Sequence, residues 1–321
     1  MSRPVGEFEL IERFTRRLPP RGEGVRLGIG DDAAVLEPPR GERLVLAVDA
    51  VVEGVHFRRG WAPEDVGWKA LAVNLSDLAA MGARPLWALV ALAVPRGRDP
   101  AWLTRVGRGL AACARRHRVA VVGGNVTRAR DLSVTVTVAG AARRPLTRSG
   151  ARPGDAVLVS GTLGEAALGI APGAAAPLVA RQRRPRPRLE LGRALCGIAT
   201  ACIDVSDGLL QDLGHLCRAS GVGASLRLAE LPLSPAYRAA TRRARDPWAA
   251  ALSGGEDYEL LCTVPVARLG QALAAARRAG ERLSVVGSVV AGTGVQVARP
   301  GGGRYRPRRV GHDHLLAPRS L

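Results

Sequence analysis

Six aspartates stand in segments otherwise built of small and apolar residues: Asp31 and Asp32 in GIGDDAAVL, Asp49 in LAVDAVV, Asp77 in NLSDLAAMG, and Asp204 and Asp207 in CIDVSDGL. An ionised carboxylate flanked by such runs is costly to bury unless it meets a cation or several hydrogen-bond donors. Singly, each reads as a helix cap or a turn residue; six together point to a cation. An all-oxygen set, with almost no histidine nearby and no thiolate in register, suits Mg2+ rather than Zn2+. Helical spacing puts Asn74, Asp77 and Met81 on one face of a helix whose other residues are Leu, Ala and Val, so this face is either a buried polar network or a ligand shelf. Ser206 and Asp207 open a helix, where N–H groups and the dipole favour an anion. Carboxylate and phosphate would repel each other there, and a bridging metal resolves both demands. The glycines at Gly28-Ile29-Gly30, Gly123-Gly124 and Gly254-Gly255 are either plain turns or places where backbone approaches a ligand.

The elements that must carry these residues alternate between helix and strand. Helical spacing over Gly6 to Leu18 gives way to a PPRGEG loop and then to a branched apolar strand over Arg43 to Val52. A helix over Pro63 to Met81 has proline in its first turn, Glu64 and Asp65 toward its dipole and Gly82 just past its end. Leu86 to Val94 reads as a buried strand, Ala101 to His117 as a helix, Val119 to Val122 as a short strand ending at Gly123-Gly124, and Leu132 to Ala139 as an alternating strand. The pattern breaks in the Pro/Gly/Arg-rich stretch Arg143 to Asp155, where a domain boundary is placed. Beyond it, strands are expected at Ala156 to Ser160, Ala224 to Leu228, Tyr258 to Val264 and Leu283 to Val289. Helices are expected at Glu165 to Ile170, Leu189 to Thr200, Gly208 to Ala219 with Ser206 and Asp207 as caps, and Val266 to Ala279.

A chain of 321 residues suits two domains, and 47% hydrophobic residues exclude disorder. The longest apolar run, Leu86 to Val94, is far short of the roughly 20 residues a bilayer span needs, and the N-terminal GEFELIERF has no secretory h-region, so a cytoplasmic protein is expected. The net charge of +19 comes from 47 basic residues of which only Lys69 is lysine. This bias toward arginine makes composition weak as a pointer to nucleic acid. The densest run, Arg181 to Arg188, is solvated surface, a contact to small-molecule phosphate, or a polyanion site. A single lysine also excludes a GxxxxGK[ST] phosphate loop. The five cysteines show no CxxC pairing and read as reduced core residues.

GIGDDAAVL, VDAVVEGVHF, WKALAVNLSDLAAMGARP, LTRSGARPGD, IDVSDGLLQDLGHL and SGGEDYELLCTV, in this order over nearly the whole chain, resemble thiamine-monophosphate kinase. That family sits in a superfamily with aminoimidazole ribonucleotide synthetase, selenophosphate synthetase and the hydrogenase-maturation dehydratase. The GDD and SDG elements are superfamily-wide, whereas the WKALAVNLSDLAAMGA helix and SGGEDYEL are more specific to the kinase. The resemblance implies an α/β (α+β) fold of two domains. Residues 1–145 would form a mixed sheet with helices that binds ATP and Mg2+ and joins a second copy into a barrel, and residues 150–321 an α/β domain completing the cleft. It implies ATP-dependent phosphorylation of thiamine monophosphate to thiamine diphosphate by a homodimer. Carried over residue by residue, Asp32, Asp49, Asp77, Asn125, Asp204 and Asp207 would hold several Mg2+ ions. Gly124, Arg148 and Ser206 would contact ATP, and His56, Glu256 and His312 the thiamine phosphate. No residue would serve as a catalytic group distinct from the metal and phosphate ligands, and no membrane or specific nucleic acid is expected as a partner. The alternatives are a superfamily enzyme that activates an amide or carbonyl oxygen with ATP, and an Arg-rich nucleic-acid-binding protein.

The chain departs from the family pattern at three places. Ala47 and Val48 stand where Ser-Thr is usual before the aspartate. Asn125 follows the glycine pair in place of Asp, and Gly311-His312-Asp313-His314 replaces an element with an aromatic residue. One hydroxyl and one carboxylate are thus missing from the expected metal shell. His56 alone also reads as packing at a strand end, and Glu256 alone as an exposed turn carboxylate.

Overall fold

The computed structural model describes residues 6–19, 21–30 and 32–312; Asp31, Asp313 and His314 lie outside them. The chain divides into two units, residues up to 78 with 84–143, and residues 79–83 with the chain from 144 onward. The segment 79–83 therefore groups with the second unit, which the expected boundary near 145–150 did not anticipate.

The first unit runs α1 (Glu7–Thr15), β1 (Val25–Leu27), β2 (Val35–Leu36), β3 (Arg43–Val52), α2 (Pro63–Ala80), β4 (Arg84–Val94), α3 (Pro100–His117), β5 (Ala120–Arg128) and β6 (Ser133–Ala142). Its sheet has the order β3-β6-β4-β5, with β4 and β5 parallel across the α3 crossover and the other pairs antiparallel. The central helix α2 is hydrophobic nearly all round, as a helix enclosed by its neighbours must be. From Lys69 to Ala80 every residue except Asp77 is buried. Its first turns meet α3 backbone to backbone. A Cβ on Gly67 would fall 1.9 Å from the Val106 carbonyl oxygen, and one on Gly109 would fall 1.9 Å from that of Glu64.

The register aligns Asp49, Val136, Val90 and Gly124 across all four strands. Val136 and Val90 are buried, so this row faces the core. The opposite face leaves Leu46, Val48 and Leu89 at 68%, 60% and 45% exposure. Strand β5 does not end at the glycine pair but runs through it to Arg128. Gly124 is a glycine for a local reason: a Cβ there would lie 2.0 Å from the Val90 carbonyl oxygen on the neighbouring strand.

The second unit runs β7 (Ala156–Ser160), α4 (Glu165–Gly169), α5 (Ala176–Arg183), α6 (Leu189–Leu195), β8 (Ala201–Asp204), α7 (Leu209–Ser220), β9 (Gly223–Arg227), α8 (Pro235–Thr241), α9 (Ala249–Ser253), β10 (Leu260–Val264), α10 (Leu269–Arg278), β11 (Leu283–Val290) and β12 (Gly294–Ala298). Its six-stranded sheet has the order β12-β9-β11-β7-β10-β8, antiparallel except for β12 against β9. The helix expected to reach Thr200 stops at Leu195, because residues 201–204 pair with β10 as the edge strand that ends on Asp204. Strand β10 starts at Leu260 rather than Tyr258, since Glu256 and Tyr258 both take left-handed backbone, φ +60° and +51°. The cysteines are all free, four of them buried and Cys196 half-buried.

Gly67→Ala drives its Cβ into the α3 backbone and should destabilise the chain by about 3 kcal/mol, the upper part of the overpacking range. Gly270→Ala, in α10 with no atom within 4 Å of the new Cβ, should be neutral or stabilising by up to about 1 kcal/mol. Thermal unfolding of the two variants checks the contrast; equal effects would refute the backbone contact.

Candidate functional site

In the second unit the site is built on the turn that leaves β8. Asp204 ends the strand, 4% exposed, and Ser206 and Asp207 follow half-buried before α7 begins. The cap expected from Ser206 or Asp207 does not form. Instead Asp212, one turn into α7, turns its Oδ2 back to accept the N–H groups of Ser206 (3.0 Å), Asp207 (3.1 Å) and Gly208 (3.0 Å). These three donors, which the sequence offers to an incoming anion, are therefore already occupied by a carboxylate of the chain itself. Burial, and then the neighbouring Asp204 and Asp207 carboxylates, push Asp212 up to about 8 against the pull of those N–H groups.

Two distant segments grip the same turn. The Glu256 N–H donates to the Ser206 carbonyl at 2.7 Å and the Tyr258 N–H to that of Val205 at 2.9 Å. Gly255 is required beside them, because a Cβ would stand 2.6 Å from the Ser206 oxygen. On the other side the His312 N–H donates to the Asp207 carbonyl at 3.0 Å, while Gln211 Nε2 reaches both Asp207 Oδ2 (3.0 Å) and the His312 carbonyl (2.9 Å). Ser206, Asp207, Glu256 and His312, spread over more than a hundred residues of chain, thus meet at one place. The Glu256 carboxylate is half-buried and takes a hydrogen bond from Gln182 Nε2 at 2.7 Å, so it is no free turn carboxylate. Arg148 is exposed, its loop held by Ser220, which donates to the Arg148 carbonyl at 3.1 Å. His215 is lowered by burial and then by Arg218 and Arg148, with Asp207 opposing, which puts Arg148 and Asp207 in the same electrostatic neighbourhood.

Ligand atoms of Asp207, Asp212 and His215 lie within 4.8 Å of one another, the one such grouping of His, Cys, Asp or Glu among the described residues. Asp212 and His215 were not singled out from the sequence, although both lie inside the IDVSDGLLQDLGHL segment at helical spacing from Asp207 and Gly208. Asp257, also missed, caps α4 by accepting the Gly164 N–H at 2.6 Å, and burial pushes it up to about 7.

The Arg181 to Arg188 tract is solvated only in its middle, where Arg184 and Arg186 are exposed, while its ends turn inward. Arg188 donates through Nε and Nη2 to Glu259 at 2.7 and 2.5 Å and through Nη1 to Glu281 at 2.6 Å, and Arg181 also pairs with Glu259. Glu259 is fully buried; burial alone would raise it, but Arg188 and Arg181, with hydrogen bonds from Arg188 and Ser160, hold it below the usual carboxylate range. The two ends of the tract therefore anchor the segment that carries Glu256.

In the first unit, Asn74 is fully buried. Its Oδ1 accepts the Asp49 N–H at 2.8 Å and its Nδ2 donates to the Ala70 carbonyl at 2.9 Å. The polar face of α2 is thus a buried network at Asn74, which reaches Asp49 on the edge strand β3, and turns half-buried one turn later at Asp77. His56 closes a tight turn after β3, with its Nδ1 accepting the Val52 N–H at 3.1 Å. Asp32 is exposed in the loop before β2. Asn125 is not brought to Asp49. It lies on the opposite, apolar face and three strand spacings away, roughly 14 Å at about 4.8 Å per strand.

Residues 30–142 match the family model of the AIR synthase related protein N-terminal domain, and residues 152–299 that of its C-terminal domain. A thiamine-monophosphate kinase of Salmonella typhimurium is 41% identical over 331 residues, covering 98% of this chain and 99% of the relative. One from Caulobacter vibrioides is 39% identical, covering 97% and 91%. The crystal structure of thiamine-monophosphate kinase from Stenotrophomonas maltophilia K279a matches with a TM-score of 0.82 at 41% identity, covering 91% of this chain and 96% of that one. AaThiL complexed with AMPPCP and TMP matches at 0.77 and 34% identity over 98% and 99%. Escherichia coli HypE, a hydrogenase maturation protein, shares the fold at 22% identity and a TM-score of 0.76, covering 95% and 98%.

Glu259→Gln removes the carboxylate that answers buried Arg188 and Arg181, leaving Arg188, 6% exposed, with Glu281 alone, and should cost about 3 kcal/mol. Because the folded-state value of Glu259 lies below the ordinary one of 4.5, its stabilisation is present above about pH 4.5 and is lost as pH falls through the lower folded value. Melting temperatures from pH 7 to 3 should therefore converge between parent and variant; a constant gap would show that the ion pair does not carry the difference.

Proposed function

The chain belongs to the thiamine-monophosphate kinase family, and on that premise we propose that it transfers the γ-phosphoryl group of ATP to the phosphate of thiamine monophosphate, giving thiamine diphosphate and ADP. The observation that carries this reading is the convergence of Ser206, Asp207, Glu256 and His312 on one turn, in a relative of a protein complexed with AMPPCP and TMP. Donor and acceptor are both phosphates, so the task is positioning and charge neutralisation rather than covalent catalysis, and the acceptor oxygen is already ionised without a general base.

Crowded carboxylates in an oxygen-rich turn, with Asp212 pushed up first by burial and then by Asp204 and Asp207, fit a divalent cation. Asp32, Asp49, Asp77, Asp204 and Asp207 would hold Mg2+, with Asn125 as an uncharged oxygen ligand. The chemistry a bound divalent ion would supply there is positive charge to offset that of the phosphates. Asp212 holds the turn so that Ser206 and Asp207 keep their positions, and Arg148, Gly124 and Ser206 would contact ATP, Arg148 with a cation for its phosphates. His56, Glu256 and His312 receive thiamine monophosphate, with Gln182 orienting the Glu256 carboxylate. The first unit would carry ATP, Mg2+ and dimerisation residues, and the second would complete the nucleotide and substrate contacts. Among the described residues no helix is long and apolar enough to cross a membrane, in keeping with a cytoplasmic enzyme.

A homodimer through the first unit is supported by the sheet face bearing Leu46, Val48 and Leu89, an apolar surface of the kind that marks an interface. Asn125 lies on that same face, so it serves an ion shared with the partner copy and not with Asp49 of its own chain.

Purified chain with Mg-ATP and thiamine monophosphate should yield thiamine diphosphate, with free thiamine inert. Asp77→Asn and Asp207→Asn should each lower turnover at least about a hundredfold, as loss of a charge-stabilising group does, while thermal stability without Mg2+ stays level or rises. ADP release that required an amide substrate and ignored thiamine monophosphate would sink the kinase reading. Separately, Leu46→Glu should shift the sedimentation coefficient from dimer to monomer; a parent already monomeric at assay concentrations would refute the homodimer.

A further inference from the structure

Lys69 is the only lysine among 47 basic residues, in a chain that otherwise uses arginine wherever it needs a cation. It sits on α2 and is 1% exposed. Its Nζ donates to the His56 carbonyl at 3.1 Å and lies 5.3 Å from the centre of the Trp61 ring, itself 7% exposed. A buried ammonium is costly unless its donors and charge are met, and a carbonyl and an indole face meet them here. The site takes a compact ammonium on a slim stem. A planar guanidinium is wider and carries five donors in a fixed fork, so the two cations are not interchangeable in a closed space.

What Lys69 holds is the turn that presents His56. Within residues 52–57 the His56 N–H donates to the Val52 carbonyl at 2.9 Å and the Gly54 N–H to that of Phe57 at 2.8 Å, with Gly54 at φ +83° and Phe57 1% exposed. The Val52 N–H donates to His56 Nδ1, which places the proton of the neutral ring on Nε2. The main chain and one ring nitrogen of His56 are therefore fixed by β3, and its carbonyl by a cation on α2. Asn74, five residues along the same helix, fixes Asp49 on the same strand.

We propose that Lys69 is a positioning residue for the acceptor substrate: by clamping the His56 carbonyl to α2 it aims the His56 ring and sets the affinity for thiamine monophosphate. This rests on the reading of His56 as a contact to that substrate. Lys69→Met removes the clamp and Lys69→Arg replaces it with a cation that does not fit. Both should raise KM for thiamine monophosphate by about five- to tenfold, with kcat and KM for ATP changed less than about twofold, the signature of lost acceptor binding. A merely structural role would instead lower the active fraction without moving one KM alone.

The parent chain offers a test that needs no variant. Expressed with lysine labelled at Cε with 13C, it gives a single side-chain resonance, which should shift on saturation with thiamine monophosphate and stay in place with an ATP analogue. No shift with thiamine monophosphate, a shift with the nucleotide alone, or equal rises in both KM values would overturn the proposal. A parent that phosphorylates thiamine monophosphate and loses affinity for it on His56→Ala, while neither Lys69 variant nor the resonance responds, defeats the role of Lys69 alone. A parent with no such activity defeats the underlying reading.

Discussion

The turn between β8 and α7 must do two things that oppose each other. In the proposed function it has to present carboxylates toward a cation-bearing ligand, and it has to satisfy its own backbone donors while half-buried. One oxygen of Asp212 meets the second demand by accepting three consecutive N–H groups. That solution adds a third carboxylate to a place that already holds Asp204 and Asp207, and the resulting repulsion is what a divalent ion relieves. The turn is thus most at ease when liganded, and everything around it serves to keep it in place meanwhile. The Gly255 to Tyr258 stretch pairs with it from one side in a left-handed backbone that few residues adopt unaided. The segment at His312 closes it from the other.

The same economy recurs wherever this chain buries an acid. Asp257 caps a short helix, Asp155 accepts the Arg152 N–H at 3.0 Å and the Thr200 hydroxyl at 2.7 Å, and Glu259 holds two arginines and a serine. Each of these carboxylates is answered inside the fold and is therefore structural. Asp77 differs in exposure, as the one residue of the last three turns of α2 that is not buried, and Asp32 and Asp49 are exposed likewise. These are among the carboxylates proposed above to hold Mg2+, and a group at the surface keeps access to solvent and ligands that a buried one has lost.

Order in the first unit depends on α2 in a comparable way. Gly67 and Gly109 let it touch α3 at backbone distance, Asn74 ties it to the strand bearing Asp49, and Lys69 ties it to the turn bearing His56. A helix so enclosed transmits position well, since close-packed interiors have little slack. Asp49, Asp77 and His56 are in effect referenced to one rod.

Much of this was legible in the residues alone. The strands Arg43–Val52 and Ala156–Ser160 were read with their true limits, and α2 and α3 to within a residue, because long periodic runs with proline at the start and glycine past the end carry their own boundaries. The GDD, SDG and SGGED segments were recognisable as chemistry by their carboxylates set among small apolar residues. Tertiary structure decided what periodicity cannot encode. Residues 201–204 became a strand only because β10 lay alongside to pair with them, and Gly124 proved to be demanded by a neighbouring strand. The Arg181 to Arg188 run, which reads as solvated surface, a phosphate contact or a polyanion site, turned its two ends inward because Glu259 and Glu281 stand there. The anion cradle inferred at the start of α7 was filled by Asp212, a residue whose importance lies in the direction its side chain turns. The sequence by itself determined which groups are present and which segments are helix or strand, since those follow from local propensity and period. Which carboxylate meets buried arginines, as Glu259 does, and which stands at the surface, as Asp32 does, was settled only by the packing of segments far apart in the chain, which local propensity and period do not encode.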